Sequence, residues 1–366
     1  MNSLFWTQIS AIVRIEMKKT FFAKRGLWIY LLALAPVALF FTHSMVEIHE
    51  HGARRQMVQK SARQLTERDL FSIGIGMSRE DVIARLGEPP VSRTRNRRMR
   101  TGRHSSIIVP TEIMSYSDGN NELVLAVQNG AVTGIQKASG ISLGQDSYVF
   151  AGVFQFFFLR LAIFFGCLGI FMNLFRGEML DKSLHFYLLT PVRREILMIG
   201  KYLAGLLAAT VIFSTSTALQ FIALLLQFDA AVIAQYMDQN HGLAQMAAYL
   251  GVTVLACIGY GSIFLAAGLL FRNPIVPAAA VLIWEAANPV LPALLKKFSI
   301  IYYLKSLCPF EITLDPGMPP LFALLASNPE PISRYIAIFG LLAVSILVLL
   351  AASKRVRRLE INYSAD

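Results

Sequence analysis

The chain has 366 residues, of which 55% are hydrophobic and 16% are charged, and its net charge is +11 at pH 7. Several apolar runs exceed the ~18 residues that indicate a membrane-spanning helix. This composition excludes an ordinary soluble enzyme. The positive charge is better explained by anchoring to anionic lipids than by nucleic-acid binding, because Lys and Arg cluster beside the apolar runs.

The predicted fold is an α-helical polytopic membrane protein with six transmembrane helices and a small α+β extracytoplasmic insert. In residues 1–26, apolar residues recur at helical spacing, which predicts a cytoplasmic interfacial helix. The alternative is an extension of the first span. The six spans are predicted at 27–45, 148–175, 197–227, 244–271, 274–295 and 334–353. The remaining segments are the insert at 46–147, a cytoplasmic loop at 176–196, an outer segment at 296–333 whose re-entrant path stays open, and a cytoplasmic tail at 354–366.

The distribution of basic residues predicts the orientation. Lys and Arg are concentrated in the N-terminal segment, the 176–196 loop and the tail, whereas the short loop 228–243 has none. Because these residues resist translocation, both termini are expected on the cytoplasmic side of a bacterial plasma membrane.

The insert contains the pattern of a small folded domain at about 68–138. GMSREDVIARLGEPP (76–90) predicts a short helix, capped by Ser78 with Asp81 and ended at Gly87. The runs EIMSYS, ELVLAVQ and AVTGIQK, separated by DGNN and by Asn129-Gly130, predict a three-stranded antiparallel meander. The intervening VSRTRNRRMRTGRH is predicted to be a solvated, mobile loop, with contact to anionic headgroups or an acidic partner as the alternative.

This helix, with the tyrosine-containing strand and the V-x-N-G-x-V-x-x-I run after it, resembles the BamE/SmpA-like lipoprotein fold. The resemblance covers about 70 residues. It implies a periplasmic module that binds a protein partner, and hence the inner membrane of a Gram-negative bacterium.

The polar loop after the second span has the pattern of a docking surface. Leu180, Leu184 and Leu188 share one side of a predicted amphipathic helix, which Thr190-Pro191 ends. The stretch F-R-G-E-M-x-D-K-S-L-x-x-x-L-L-T-P-V-R-R, followed by a span that opens with G-K, resembles the type 2 (ABC-2-like) permeases of ATP-binding cassette transporters. The resemblance implies a coupling helix that contacts an ATPase subunit through Glu178, Ser183, Leu184, Leu188, Pro191 and Arg193.

The sequence has no G-x-x-x-x-G-K-[ST] motif, so ATP and Mg²⁺ are expected on a partner ATPase and no cofactor in this chain. The leading hypothesis is the permease subunit of an exporter, not itself an enzyme, that pairs with a second permease copy and contacts membrane lipids but no nucleic acid. The alternative is an ATP-driven mechanotransmission or scaffold protein that acts on periplasmic partners through the insert.

Two other patterns are weak. GISLG (140–144) matches the hydrolase motif G-x-S-x-G, but it lies in a linker between a domain and a span. EIHEHG places His49 and His51 at a spacing that matches no metalloprotease signature, so no metal site is predicted.

Arg160 and Glu285 lie inside predicted spans at similar depths and are predicted to be neighbours, because an ionised group in a span needs a partner or a wet cavity. The alternative is that Arg160 extends towards the interface and that Glu285 is protonated against helix ends.

Overall fold

Contacts divide this computed structural model into two units, Met1–Phe41 with Ser147–Asp366, and Thr42–Asp146. We call the first the membrane unit and the second the insert. The structure describes residues 2–22, 26–61, 65–100, 106–119, 121–138, 143–180, 193–271, 273, 275–312 and 332–357.

The membrane unit is built from helices. Within the described residues they are α1 (Asn2–Phe22), the first part of α2 (Leu27–Lys60), the part of α5 (Leu143–Val153) from Ser147 onwards, a π-helical segment (Phe154–Ile163), α6 (Phe164–Leu180), α7 (Arg194–Leu225), α8 (Ala230–Gln239), α9 (Gly242–Leu270), α10 (Ile275–Ala287), a 3₁₀ turn (Asn288–Val290), α11 (Ala293–Lys296), α12 (Ile300–Leu307) and α13 (Arg334–Arg357).

Five helices in the described part of the chain are long and apolar enough to cross a membrane, so the protein is an α-helical membrane protein. These helices are Leu27–Lys60, Leu143–Phe175, Arg194–Leu225, Gly242–Leu270 and Arg334–Arg357. The sixth predicted span, 274–295, instead contains a shorter apolar helix over Ile275–Val290 and then α11. Pro289 and Pro292 explain the break, because proline lacks the N–H that would continue a helix.

Helix α9 is at the centre of the membrane unit and packs against α6, α7 and α13. Glycine permits the close contact with α6: a Cβ at Gly268 would lie 3.1 Å from the Cα of Met172. A side chain at Gly261 would meet the ring of Phe171 at 2.5 Å. Small residues let helix backbones approach closely. Within a membrane this packing matters because the hydrophobic effect does not drive helices together there.

The insert contains two short helices and an antiparallel sheet. The helices are α3 (Glu67–Phe71) and α4 (Arg79–Leu86), and the strands are β1 (Val91–Arg100), β2 (Ser106–Ser117), β3 (Glu122–Gln128) and β4 (Ala131–Ala138), in the order β1-β2-β3-β4. One face of the sheet carries buried apolar side chains that pack with those of the two helices. This core consists of Leu65, Leu70, Ile73, Val82, Leu86, Met114, Tyr116, Leu123, Leu125, Val127 and Val132.

The helix cap and the β3–β4 turn of the insert lie where the sequence predicts them. Ser78 accepts a hydrogen bond from the Asp81 backbone N–H at 3.1 Å at the start of α4, and Gly87 at its end has a φ of +84°. Asn129 and Gly130 both have positive φ, as a tight β3–β4 hairpin requires.

The arginine-rich segment differs from its prediction. Val91–Arg100 is strand β1 rather than a loop, so the described sheet has four strands instead of three. Charged residues are disfavoured inside a sheet but are common on an edge strand, where they oppose unwanted pairing with other chains. Helix α2 also extends to Lys60, fifteen residues beyond the predicted span end at 45.

Acidification is expected to destabilise the insert through Glu112. Its carboxylate accepts hydrogen bonds from Arg79 Nε at 2.9 Å and Ser92 Oγ at 2.8 Å, and these bonds, that of Arg79 first, hold the pKa of Glu112 below its usual value. This contribution is complete above the unfolded pKa of about 4.3 and is lost as pH falls through the lower folded pKa. Unfolding of fluorotyrosine-labelled protein, followed by ¹⁹F NMR at Tyr116, should therefore show a weaker pH dependence in Glu112→Gln than in the wild type. Equal pH dependence would contradict this role.

Candidate functional site

A fully buried ion pair joins α1 to α7. Lys201 has no exposed surface and Glu16 is 2% exposed. The Lys201 ammonium donates to Glu16 Oε1 at 2.7 Å and to the carbonyl oxygen of Leu174, in α6, at 2.8 Å. One cation thus connects three helices. Two of them, α6 and α7, come directly before and after residues 181–192 in the sequence.

The local sequence explains this geometry. Ile9, Ile12 and Glu16 recur at helical spacing along one side of α1, and all three are buried. A Cβ at Gly200 would lie 2.9 Å from Ile12 Cγ2, so the glycine allows α1 to approach α7 closely. Gly200 therefore permits the approach, and Lys201 neutralises the carboxylate that the approach buries.

A second set of polar contacts joins α7 to the end of α13. Glu195 forms an ion pair with Arg357, and Arg194 Nη1 donates to the Arg357 carbonyl oxygen at 3.1 Å. Together with Arg193 these residues line a shallow recess of about 260 Å³. We use the term flanking junction for Glu16, Leu174, Glu195, Lys201 and Arg357.

The residues assigned to ATPase contact adjoin the flanking junction in sequence. Ser183, Leu184, Leu188 and Pro191 lie outside the described residues. Glu178 is in α6, and Arg193 is exposed immediately before α7. Their contact with a partner therefore stays a prediction.

Glu285 is a buried acidic residue at a second helix junction. Its side chain, on α10, accepts hydrogen bonds from Ser299 Oγ at 2.7 Å and from the backbone N–H groups of Ile300 and Ile301, both at 2.9 Å. These amides begin α12, whose first N–H groups have no partner within the helix. Glu285 thus caps α12 from a separate helix, which agrees with the placement against a helix end that the sequence left open.

Arg160 lies in the π-helical segment of the second span. It interacts electrostatically with Glu285 and Tyr260, but both Glu285 oxygens accept the bonds to the start of α12. Direct Arg160–Glu285 contact stays a prediction.

Sequence reasoning missed the flanking junction and the π-helical segment. Glu16 was recognisable as an acid in register with the buried Ile9 and Ile12, whereas no sequence signal indicates ten residues of π-helix. The described residues contain no group of three His, Cys, Asp or Glu side chains able to hold a metal, and His49 and His51 lie along α2. Most of GISLG, residues 140–142, lies outside the described residues.

Searches of protein-family models, curated proteins and solved structures found no match to this chain.

Proposed function

We propose that the chain is the membrane-spanning permease subunit of an ATP-binding cassette transporter, an exporter driven by a separate ATPase that docks on residues 176–196. The proposal includes a bacterial inner-membrane location, cytoplasmic termini and a second permease copy. The observation that carries it is the flanking junction. Helices α6 and α7 end and begin within residues 176–196, which we call the docking segment. The flanking junction joins α7 to α1, α6 and α13.

The position of these contacts suits force transmission. A partner that moves residues 181–192 must act on the end of α6 and the start of α7, since the chain connects them directly. Lys201 and Glu16 transmit that displacement to α1, and Glu195 with Arg357 transmits it to α13. Helix α9 packs on α6, α7 and α13 and would follow their motion.

The direct test is the effect of Leu184→Asp and Leu188→Asp on ATPase association. A carboxylate buried at a docking surface costs several kcal/mol unless it is paired. We expect each change to reduce copurification of the ATPase at least tenfold, while the permease keeps its elution profile in detergent.

Gln239→Asp, at an exposed position in α8, is the control and should leave copurification unchanged. Wild-type association and transport in both leucine variants would refute the docking assignment.

A second candidate function is mechanotransmission or scaffolding through the insert. The insert supports this function because it forms a compact unit with its own apolar core. Under this alternative the ATPase still docks at 176–196, but the product of the cycle is a change in a periplasmic partner and no substrate crosses the membrane.

A further inference from the structure

The insert contains an open groove between α2 and the sheet. Its volume is about 730 Å³, and its walls include Met57 and Lys60 of α2, Arg93 and Arg95 of β1, and Ile113 of β2. Every lining residue belongs to the insert. The ten lining residues include three cationic side chains and no acidic one. The groove therefore favours a ligand that carries negative charge.

Strand register explains why the arginines project to this side. β1 pairs with β2 so that Arg93 lies opposite Ile113 and Ser92 opposite Met114. Met114 belongs to the core that packs with the helices, so Ile113 and Arg93 are on the other face. Glu112 does not neutralise the groove, because it shares the face of Met114 and binds Arg79.

β1 also offers hydrogen-bonding groups to an extended ligand. It is the edge strand of the described sheet and pairs only with β2 among the described residues. Backbone N–H and C=O groups that point away from β2 are therefore available to an added strand. A compact anion such as free phosphate would use the arginines but not this edge.

We propose that the groove binds an extended acidic segment of a partner protein, which adds to the edge of β1 that faces away from β2 and places carboxylates at alternate positions. Arg93 and Arg95 are two residues apart on one face, and thus roughly 7 Å apart along the strand. A second strand has the same repeat, so acids at positions i and i+2 can face both arginines. Val91 to Arg95 extends about 13 Å, which suits a segment of five or six residues.

This inference goes beyond the proposed transport function, because it concerns only residues of the insert. Failure of ATPase docking on residues 176–196 would leave it standing. Failure of the groove to bind an acidic peptide would leave the docking proposal intact.

The test measures fluorescence anisotropy of a labelled peptide with the full chain in neutral-detergent micelles. The probe is a nine-residue peptide in which glutamate and valine alternate. We expect saturable binding that weakens with salt and falls at least tenfold in the double variant Arg93→Ser, Arg95→Ser. The matched control Arg68→Ser, Arg85→Ser removes the same charge from exposed positions on α3 and α4 and should change affinity less than twofold.

Two further comparisons separate strand addition from simple charge attraction. A peptide of the same composition with consecutive glutamates should bind at least fivefold more weakly. N-methylation of the glutamates or of the valines blocks opposite edges of an extended peptide, so only one of the two methylated peptides should lose binding.

Equal binding by the two double variants, by the two arrangements of glutamate or by the two methylated peptides would overturn the proposal. Displacement of the probe by dihexanoyl phosphatidic acid at equal charge would also overturn it, in favour of a lipid. Loss of probe binding on concentration-dependent dimerisation would identify a second copy of the chain as the occupant instead.

Discussion

Replacing Lys201 by methionine is expected to lower the free energy of unfolding by about 3 to 5 kcal/mol, because Glu16 then remains buried without its main cation. Lys19 also lies close to this carboxylate, and its ammonium is 3.8 Å from Glu16 Oε1. It is half exposed, so it compensates poorly. Unfolding by sodium dodecyl sulphate in mixed micelles, followed by circular dichroism, measures the change.

A double variant separates the loss of the ion pair from a loss of packing. Glu16→Gln with Lys201→Met removes both charges and should recover most of the stability lost in Lys201→Met. Lys18→Met, which removes an exposed charge from α1, should change stability by less than about 0.5 kcal/mol. If the double variant is less stable than Lys201→Met, the residues act through packing rather than charge.

The double variant also tests transmission. If the flanking junction transmits motion from the docking segment, Glu16→Gln with Lys201→Met should bind the ATPase normally and yet transport at least tenfold more slowly. Wild-type association and wild-type transport in the double variant would show that the pair does not transmit motion.

Replacing Glu285 by leucine is expected to destabilise the protein by about 3 kcal/mol or more. Three donors, Ser299 Oγ and the N–H groups of Ile300 and Ile301, would lose their acceptor in a buried site. Each buried donor left unsatisfied costs about 1 to 3 kcal/mol. Detergent unfolding gives the magnitude, and amide hydrogen exchange should locate the largest increase at the start of α12.

Glu285→Gln and Ser299→Ala are graded controls. Glutamine keeps one oxygen acceptor and should lose less stability than leucine, whereas Ser299→Ala removes one hydrogen bond and should cost about 1 kcal/mol. Equal exchange at Ile300 and Ile301 in the wild type and in Glu285→Leu would show that the carboxylate does not hold the start of α12.

The sequence was sufficient where one periodic signal determines the structure. The long apolar runs predicted α7, α9 and α13 to within a few residues of their ends. The residues of the Asn129-Gly130 turn and of the Ser78 cap require particular backbone geometries, and the structure has them. These features depend on local chemistry, which a single sequence displays.

Features that depend on distant contacts were not predictable in this way. β1 contains more charge than a typical strand, and only its pairing with β2 makes it one. Glu285 was recognised as a group in need of a partner. However, its partners lie 14 to 16 residues further along the chain, beyond turns at Pro289 and Pro292 whose geometry the sequence does not give. Glu16 and Lys201 are 185 positions apart, and neither residue indicates the other.

The π-helical segment between α5 and α6 sets the rotational phase of the second span. Each residue in the i→i+5 pattern turns through a smaller angle than the ~100° of an α-helix, and the difference accumulates over the ten residues from Phe154 to Ile163. If this segment were α-helical instead, α5 would be rotated about its own axis relative to α6 by a large part of a turn. Arg160, within the segment, would then point in a new direction while the two ends of the span kept their neighbours in sequence.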